Sequence, residues 1–188
     1  MLGGDAGAFE ALYDRLQGGI YRYALRMTGL PALAEDVTQE VFLSLIKDSF
    51  DYQPARGTVK SYLYGMARHR LFRRLGRERA LVSIDDGADD SSFVDFQSKC
   101  DPFAEVAREE TIELVRQAIL SLPEHFREVI VLCHLQEMNY ADAAEIIDCP
   151  IGTVRSRLAR GRMMLLGKLK MLQTTSFDDA EIKTRLVR

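Results

Sequence analysis

NYADAAEIIDCPIGTVRSRLARGRMMLL, residues 139–166, spells two helices separated by a tight turn. Asn139 is placed to cap the first helix, and Asp142, three residues on, completes a capping-box-like pair. Ala143, Ala144 and Ile147 give that helix a small, apolar face suited to close packing. The helix should stop near Asp148, where a residue able to turn left-handed is useful, and Pro150 pre-sets the start of the next one. Val154, Leu158, Gly161 and Leu165 then recur at helical spacing and make an inward stripe. Thr153, Ser156, Arg157 and Arg160 fall away from that stripe, with Arg155 on its flank. An apolar back, an Arg/Ser/Thr front and a short opening turn are the parts of a helix-turn-helix that enters a DNA major groove. A basic helix face alone is ordinarily solvated surface. Here the turn, the spacing and the lack of any acid between Ile151 and Lys170 act together toward DNA.

Charge is blocked along the rest of the chain. The 188 residues carry a net charge of -3, but the average hides the pattern. Residues 54–80 hold eight basic side chains against Glu78 alone, and residues 81–111 hold nine acids against Lys99 and Arg108. Residues 151–170 hold six basic side chains and no acid. Two basic blocks separated by an acidic one imply two nucleic-acid contacts joined by a segment that must not stick to DNA. A hydrophobic fraction of 47% is enough for real cores, in one domain or two small ones.

Residues 6–27 repeat Phe9, Leu12, Leu16, Ile20, Tyr23 and Met27 and predict a first helix, ended by Gly29 and Pro31. Residues 33–47 predict a second, with Leu33, Val37, Val41 and Leu45 in one seam widened by Phe42 and Ile46. Its first turns carry Glu35, Asp36, Gln39 and Glu40, where acids also suit the helix dipole. On the residues alone that face is solvated surface. Residues 59–80 predict a third helix, with Leu63, Met66, Ala67, Leu71 and Leu75 on one side. Tyr62, Tyr64 and Phe72 are interleaved there with Arg68, His69, Arg73, Arg74 and Arg77. Rings among arginines can stack on unpaired bases while the guanidinium groups neutralise phosphates. Equally, the rings can be core and the arginines solvated.

Residues 81–101 read as an acidic flexible linker and domain boundary. Residues 111–121 and 124–135 predict a helical pair with Pro123 at the junction, completing a four-helix unit with the helix-turn-helix. Residues 173–188 read as a frayed or partly helical tail. No phosphate-cradling loop, HExxH or GxSxG occurs, so the chain is expected to be no enzyme and to need no cofactor. Cys100, Cys133 and Cys149 are scattered, and His134 has no second ligand pair, so no metal is expected. There is no signal peptide and no apolar run near membrane-spanning length, which implies no membrane insertion and a cytoplasmic protein.

Several stretches, in order, resemble the bacterial extracytoplasmic-function (ECF) sigma factors. AEDVTQEVF at 34–42 is similar to that family's A-E-D-x-x-Q-E/D-x-F, and SYLYGMARH at 61–69 to its S-W-L-Y-x-I-A-R-N. LSLP at 120–123, YADAAEI at 140–146 and GTVRSRL at 152–158 continue the likeness, which covers roughly residues 6–170. Tyr62 stands where the family usually has Trp, His69 where Asn is usual, and Asp148 where Gly is common.

The resemblance implies an all-α chain of two small helical domains. Residues 1–80 would be a sigma region 2-like domain, 81–106 the acidic linker, 107–172 a sigma region 4-like helix-turn-helix domain, and 173–188 a tail. It implies a sigma factor that binds core RNA polymerase, through its β′ and β subunits, and directs promoter-specific initiation. Glu35, Asp36, Gln39, Glu40 and Phe42 would then dock on the β′ clamp-helix coiled coil rather than merely face solvent. Lys60, Tyr62, Tyr64, Arg68, His69, Arg73, Arg74 and Arg77 would melt and hold the promoter -10 element. At the -35 element, Arg155, Ser156 and Arg160 would reach base edges, with Thr153 and Arg157 on phosphates. An anti-sigma factor would be a further partner. Two rival readings are a DNA-binding regulator with a helical effector domain and a sigma mimic that only occupies an anti-sigma partner.

Overall fold

A computed structural model describes the backbone of residues 6–47, 52–53, 57–82 and 102–186, and the side chains of 7–46, 52–53, 57–76 and 111–171. Every regular element among them is helical: α1 (Ala6–Thr28), α2 (Pro31–Lys47), α3 (Val59–Val82), α4 (Pro102–Leu120), α5 (Glu124–Ile130), α6 (Tyr140–Ile147) and α7 (Ile151–Leu186). A π-helical turn, Val131–Leu135, continues α5.

Local chemistry sets the boundaries. α1 ends where Gly29 takes a φ of +75°, a conformation glycine adopts without strain, and its N–H donates to the Leu25 carbonyl at 2.7 Å. Pro31 then opens α2, where a missing N–H costs nothing. Thr58 caps α3 by accepting the Ser61 N–H at 3.0 Å. Pro102 opens α4 in the same way as Pro31, so residues 102–106, expected in the linker, are already helical. The expected linker over 83–101 lies outside the described residues. At the other end, residues expected as a tail continue α7 as helix to Leu186.

α1, α2 and α3 pack around Ile20, Tyr23, Val37, Val41, Leu63, Ala67 and Leu71, all essentially without solvent contact. Burying each large aliphatic side chain of this kind contributes about 1.5–3 kcal/mol. α4 to α7 enclose Leu122, Val129, Ile130, Leu132, Ala143, Val154 and Leu158. Gly161 lets α7 close on α5, because a Cβ there would lie 3.2 Å from Ile130 Cγ1. The two halves then share one buried cluster, with α1 against α4, α5 and the π turn, and α3 against α6. In the π turn Gln136 N–H donates to Val131 O at 2.9 Å, one residue further back than in an α-helix.

Candidate nucleic-acid interface

The helix-turn-helix is built by the groups its sequence singles out. Asn139 Oδ1 accepts the Asp142 N–H at 2.8 Å, and Asn139 Nδ2 donates to Asp142 Oδ2 at 2.9 Å. Asp148 sits at φ 58°, ψ 57°, the left-handed cap that ends α6. The Thr153 N–H then donates to Pro150 O at 2.8 Å as α7 begins. Val154 and Leu158 are buried, Gly161 is buried and Leu165 half-buried, so the inward stripe is real. Arg155, Ser156 and Arg160 are exposed on the other side, while Thr153 and Arg157 are half-buried at its edges. Ser156 Oγ donates to Thr153 O at 3.0 Å, which leaves its lone pairs facing outward. Arg155 lies 5.9 Å over the Tyr140 ring, a cation–π contact that restrains a long side chain. Tyr140, itself exposed, is a member of this face that helical spacing alone did not single out.

α3 distributes its aromatic and basic side chains unevenly. His69 and Arg73 are exposed, and Lys60, Tyr62, Arg68 and Arg74 are half-buried. Tyr62 leans on Tyr52 with ring centroids 5.7 Å apart. Tyr64, expected beside the DNA, is instead buried. Its hydroxyl donates to Gln136 Oε1 at 3.1 Å and its ring meets Tyr23 edge-on at 5.6 Å. Burial pushes that phenol up to about 12, so it stays a donor. The side chain of Arg77 lies outside the described residues. Between α3 and α6 runs an open cleft of about 830 Å³. Tyr62, His69 and Arg73 form one wall; Glu145, Ile146 and Asp148 form the other.

The acidic face of α2 is also exposed in part. Glu35, Asp36 and Gln39 face solvent, and Glu40 is half-buried. Phe42, expected on this docking face, is buried and packs its ring on Tyr13 at 4.8 Å, so it supports the face from beneath. Ile46, expected in the core seam, is instead 63% exposed, with Leu43 at 47% beside it. The surface is therefore mixed acidic and apolar. Spacing misses the intramolecular ion pairs on it. Arg74 pairs with Asp36 at 2.9 Å and with Glu40, and Arg70 pairs with Glu40 at 3.1 Å. Partial burial pushes the Glu40 carboxyl up, but the hydrogen bonds from Arg74 and Arg70 outweigh it and hold it below the usual range.

Arg68 is likewise occupied. Its Nε donates to Glu128 Oε1 at 2.7 Å, and the Tyr23 hydroxyl donates to the same oxygen at 3.1 Å. Burial pushes the Glu128 carboxyl above its ordinary value, and Arg68 and Tyr23 only partly offset that. No group of three or more His, Cys, Asp or Glu among the described residues is placed to hold a metal ion. No described helix is long and apolar enough to cross a membrane.

Comparison with known proteins agrees with this layout. The sigma-70 region 2 family matches residues 12–80, and sigma-70 region 4 matches residues 112–165. ECF RNA polymerase sigma factor SigW of Bacillus subtilis is 30% identical over 176 residues, covering 90% of this chain and 92% of that protein. ECF RNA polymerase sigma-E factor of Haemophilus influenzae is 33% identical over 184 residues, covering 90% and 91%. The fold is similar to that of the sigma factor RpoE from Bartonella quintana, solved with the anti-sigma factor NepR. That likeness has a TM-score of 0.73 at 21% identity and covers 87% of this chain and 97% of that one. Fold and motifs thus define a sigma-70-type transcription initiation factor. Within that class the chain belongs to the ECF RNA polymerase sigma factors. It directs RNA polymerase to promoters and is itself non-catalytic.

Proposed function

We propose that this sigma factor works in the cytoplasm and divides promoter initiation among three of its surfaces. The outer face of α2, with Glu35, Asp36, Gln39 and Glu40, docks on the β′ clamp-helix coiled coil, and Leu43 and Ile46 add apolar contact. Phe42 holds that face in place from below. α3 takes the unpaired -10 strand with Lys60, Tyr62, Arg68, His69 and Arg73, helped by Arg74 and Arg77; Tyr64 backs them from the core. α7 takes the -35 duplex, with Arg155, Ser156 and Arg160 toward base edges and Thr153 and Arg157 toward phosphates. The β subunit is a second polymerase contact, and an anti-sigma factor restrains the chain. The same-fold RpoE of Bartonella quintana, bound to the anti-sigma factor NepR, supports that last assignment.

The observation that carries the reading is the two-sidedness of α7. Arg155, Ser156 and Arg160 are exposed on a helix whose opposite side, Val154 and Leu158, is sealed into the core. A basic front alone would be ordinary solvated surface; what supports the reading is that the Asn139-capped α6 and the left-handed turn at Asp148 set this front at the start of α7, as in a helix-turn-helix. The test is run-off transcription with purified core polymerase on a genomic promoter library. Arg155→Ala and Arg160→Ala should each lower -35-dependent initiation roughly 5- to 150-fold, from about 1–3 kcal/mol per lost base contact. Core affinity should not change. Variants that initiate as well as the parent overturn the assignment.

A further inference from the structure

Two arginines on the front of α7 are assigned to base edges, and the structure holds them differently. The Arg155 guanidinium lies over the Tyr140 ring, 5.9 Å from its centre. Arg160 is exposed, with no hydrogen bond, ion pair or ring contact among the described residues. Tyr140 and Arg155 lie on different helices, and three features bring them together. The Asn139 cap fixes where α6 starts, which makes Tyr140 its first residue. The left-handed Asp148 ends α6 and sets the turn into α7. Burial of Val154 and Leu158 fixes the rotation of α7, and so the direction in which Arg155 leaves it. Core packing does not account for an aromatic residue at this place. Tyr140 is 38% exposed and belongs neither to the buried cluster nor to the side chains packed against it.

We propose that Tyr140 is a positioning residue for promoter recognition: its ring steadies the Arg155 guanidinium for a guanine, and so sets base preference at one position of the -35 element. The inference rests on the reading of α7 as the -35 helix. A guanidinium can rest one face on an aromatic ring while its N–H groups, which lie in its own plane, stay free to donate. Guanine presents two acceptors, O6 and N7, in the major groove, and the arginine fork matches both. Ordering a long side chain on binding costs conformational entropy. The ring removes part of that cost for Arg155 before DNA arrives, whereas Arg160 bears it in full. An exposed contact of this kind is worth about 2- to 5-fold in affinity. Loss of the ring therefore costs less than loss of Arg155, and it costs only through Arg155.

The test is a double-mutant cycle on the full chain reconstituted with core polymerase. Initiation is measured over a promoter library randomised across the -35 element, beside a thermal melt of each chain. Tyr140→Ala should lower initiation about 2- to 5-fold and flatten base preference at the same position that Arg155→Ala flattens. Preference at the other -35 positions should stand, which a general loss of folding would not produce. Tyr140→Phe keeps the ring and should keep both the rate and the preference. Tyr140→Leu keeps apolar bulk without a ring face; it should behave as Tyr140→Ala does, and serves if that variant fails to fold. In an Arg155→Ala background, Tyr140→Ala should change initiation by less than about 1.5-fold. A Tyr140→Phe variant as weak as Tyr140→Ala would overturn the inference by showing that the hydroxyl acts. A full loss in the Arg155→Ala background would overturn it by showing that the ring acts alone. Parent-like preference in Tyr140→Ala, with Arg155→Ala impaired, would sink this inference and leave α7 as the -35 helix. Parent-like preference in Arg155→Ala would sink the assignment of Arg155 itself, and the role of Tyr140 with it.

Discussion

Reversing one charge on α2 separates docking from folding. In Asp36→Arg the carboxylate that meets Arg74 at 2.9 Å is lost. Asp36 is 57% exposed, so its pair contributes little, about 0.2–1 kcal/mol. Glu40 remains to hold both Arg70 and Arg74, which keeps the loss at the lower end. In a chain of this length about 1 kcal/mol moves Tm by roughly 2–4 °C. The variant should therefore melt within about 4 °C of the parent. Binding should respond differently, because an interface built to take an acid here loses a charged contact and gains repulsion. That is worth about 2–5 kcal/mol, or roughly 30- to 5,000-fold in affinity for core polymerase. The assay is anisotropy of the labelled chain titrated with core enzyme, beside a thermal melt. Core affinity within threefold of the parent would refute the docking argument, and a Tm lowered by more than about 10 °C would show that Asp36 is structural. Arg74→Ala completes the comparison. It uncovers Asp36 and Glu40, so core binding should hold or tighten while promoter opening weakens.

Two further outcomes follow from the geometry. Asp148 holds a left-handed conformation that costs most side chains about 1–2 kcal/mol. Asp148→Gly should recover about 0.5–1 kcal/mol after the extra unfolded-state entropy. Its Tm should rise by about 1–4 °C with -35 use unchanged; a lower Tm would mean the Asp148 side chain itself supports the turn. Glu128 gives stability a pH dependence. Burial raises its carboxyl in the folded chain, with Arg68, Tyr23 and Glu124 as its charged and titratable neighbours. A raised carboxyl contributes stability that is fully present below its unfolded value, near 4.3, and that contribution is lost as pH rises through the folded-state value. Glu128→Gln should remove this component from the dependence of Tm on pH in the window just above 4.3. A variant whose Tm follows pH as the parent's does contradicts the assignment.

What was legible in the sequence was local. The Asn139 cap, the left-handed Asp148 and the Val154–Leu158–Gly161 stripe are set by residues within one or two turns of each other, and each stands as spacing predicted. The faces of α2 and α3 were legible only in part. A helical period gives a stripe but not its width: spacing put both Phe42 and Ile46 on it, and Phe42 is buried while Ile46 is exposed. Tyr62 and Tyr64 are equivalent in composition, and only the arrival of Gln136 and Tyr23 buries Tyr64. Arg68 and Glu128 are 60 residues apart, and no local pattern links them. The return of structure at Pro102 was legible, and α4 does start there, but the acidic composition carried the linker bound on to residue 106, past that proline signal.

The account stands on one measurement before all others: promoter-dependent initiation by purified core polymerase, with and without this chain and with no other specificity subunit present. The account predicts that the chain binds core and that transcripts arise at discrete start sites only when it is added. A chain that fails to bind core, or that leaves start sites unchanged, would contradict it.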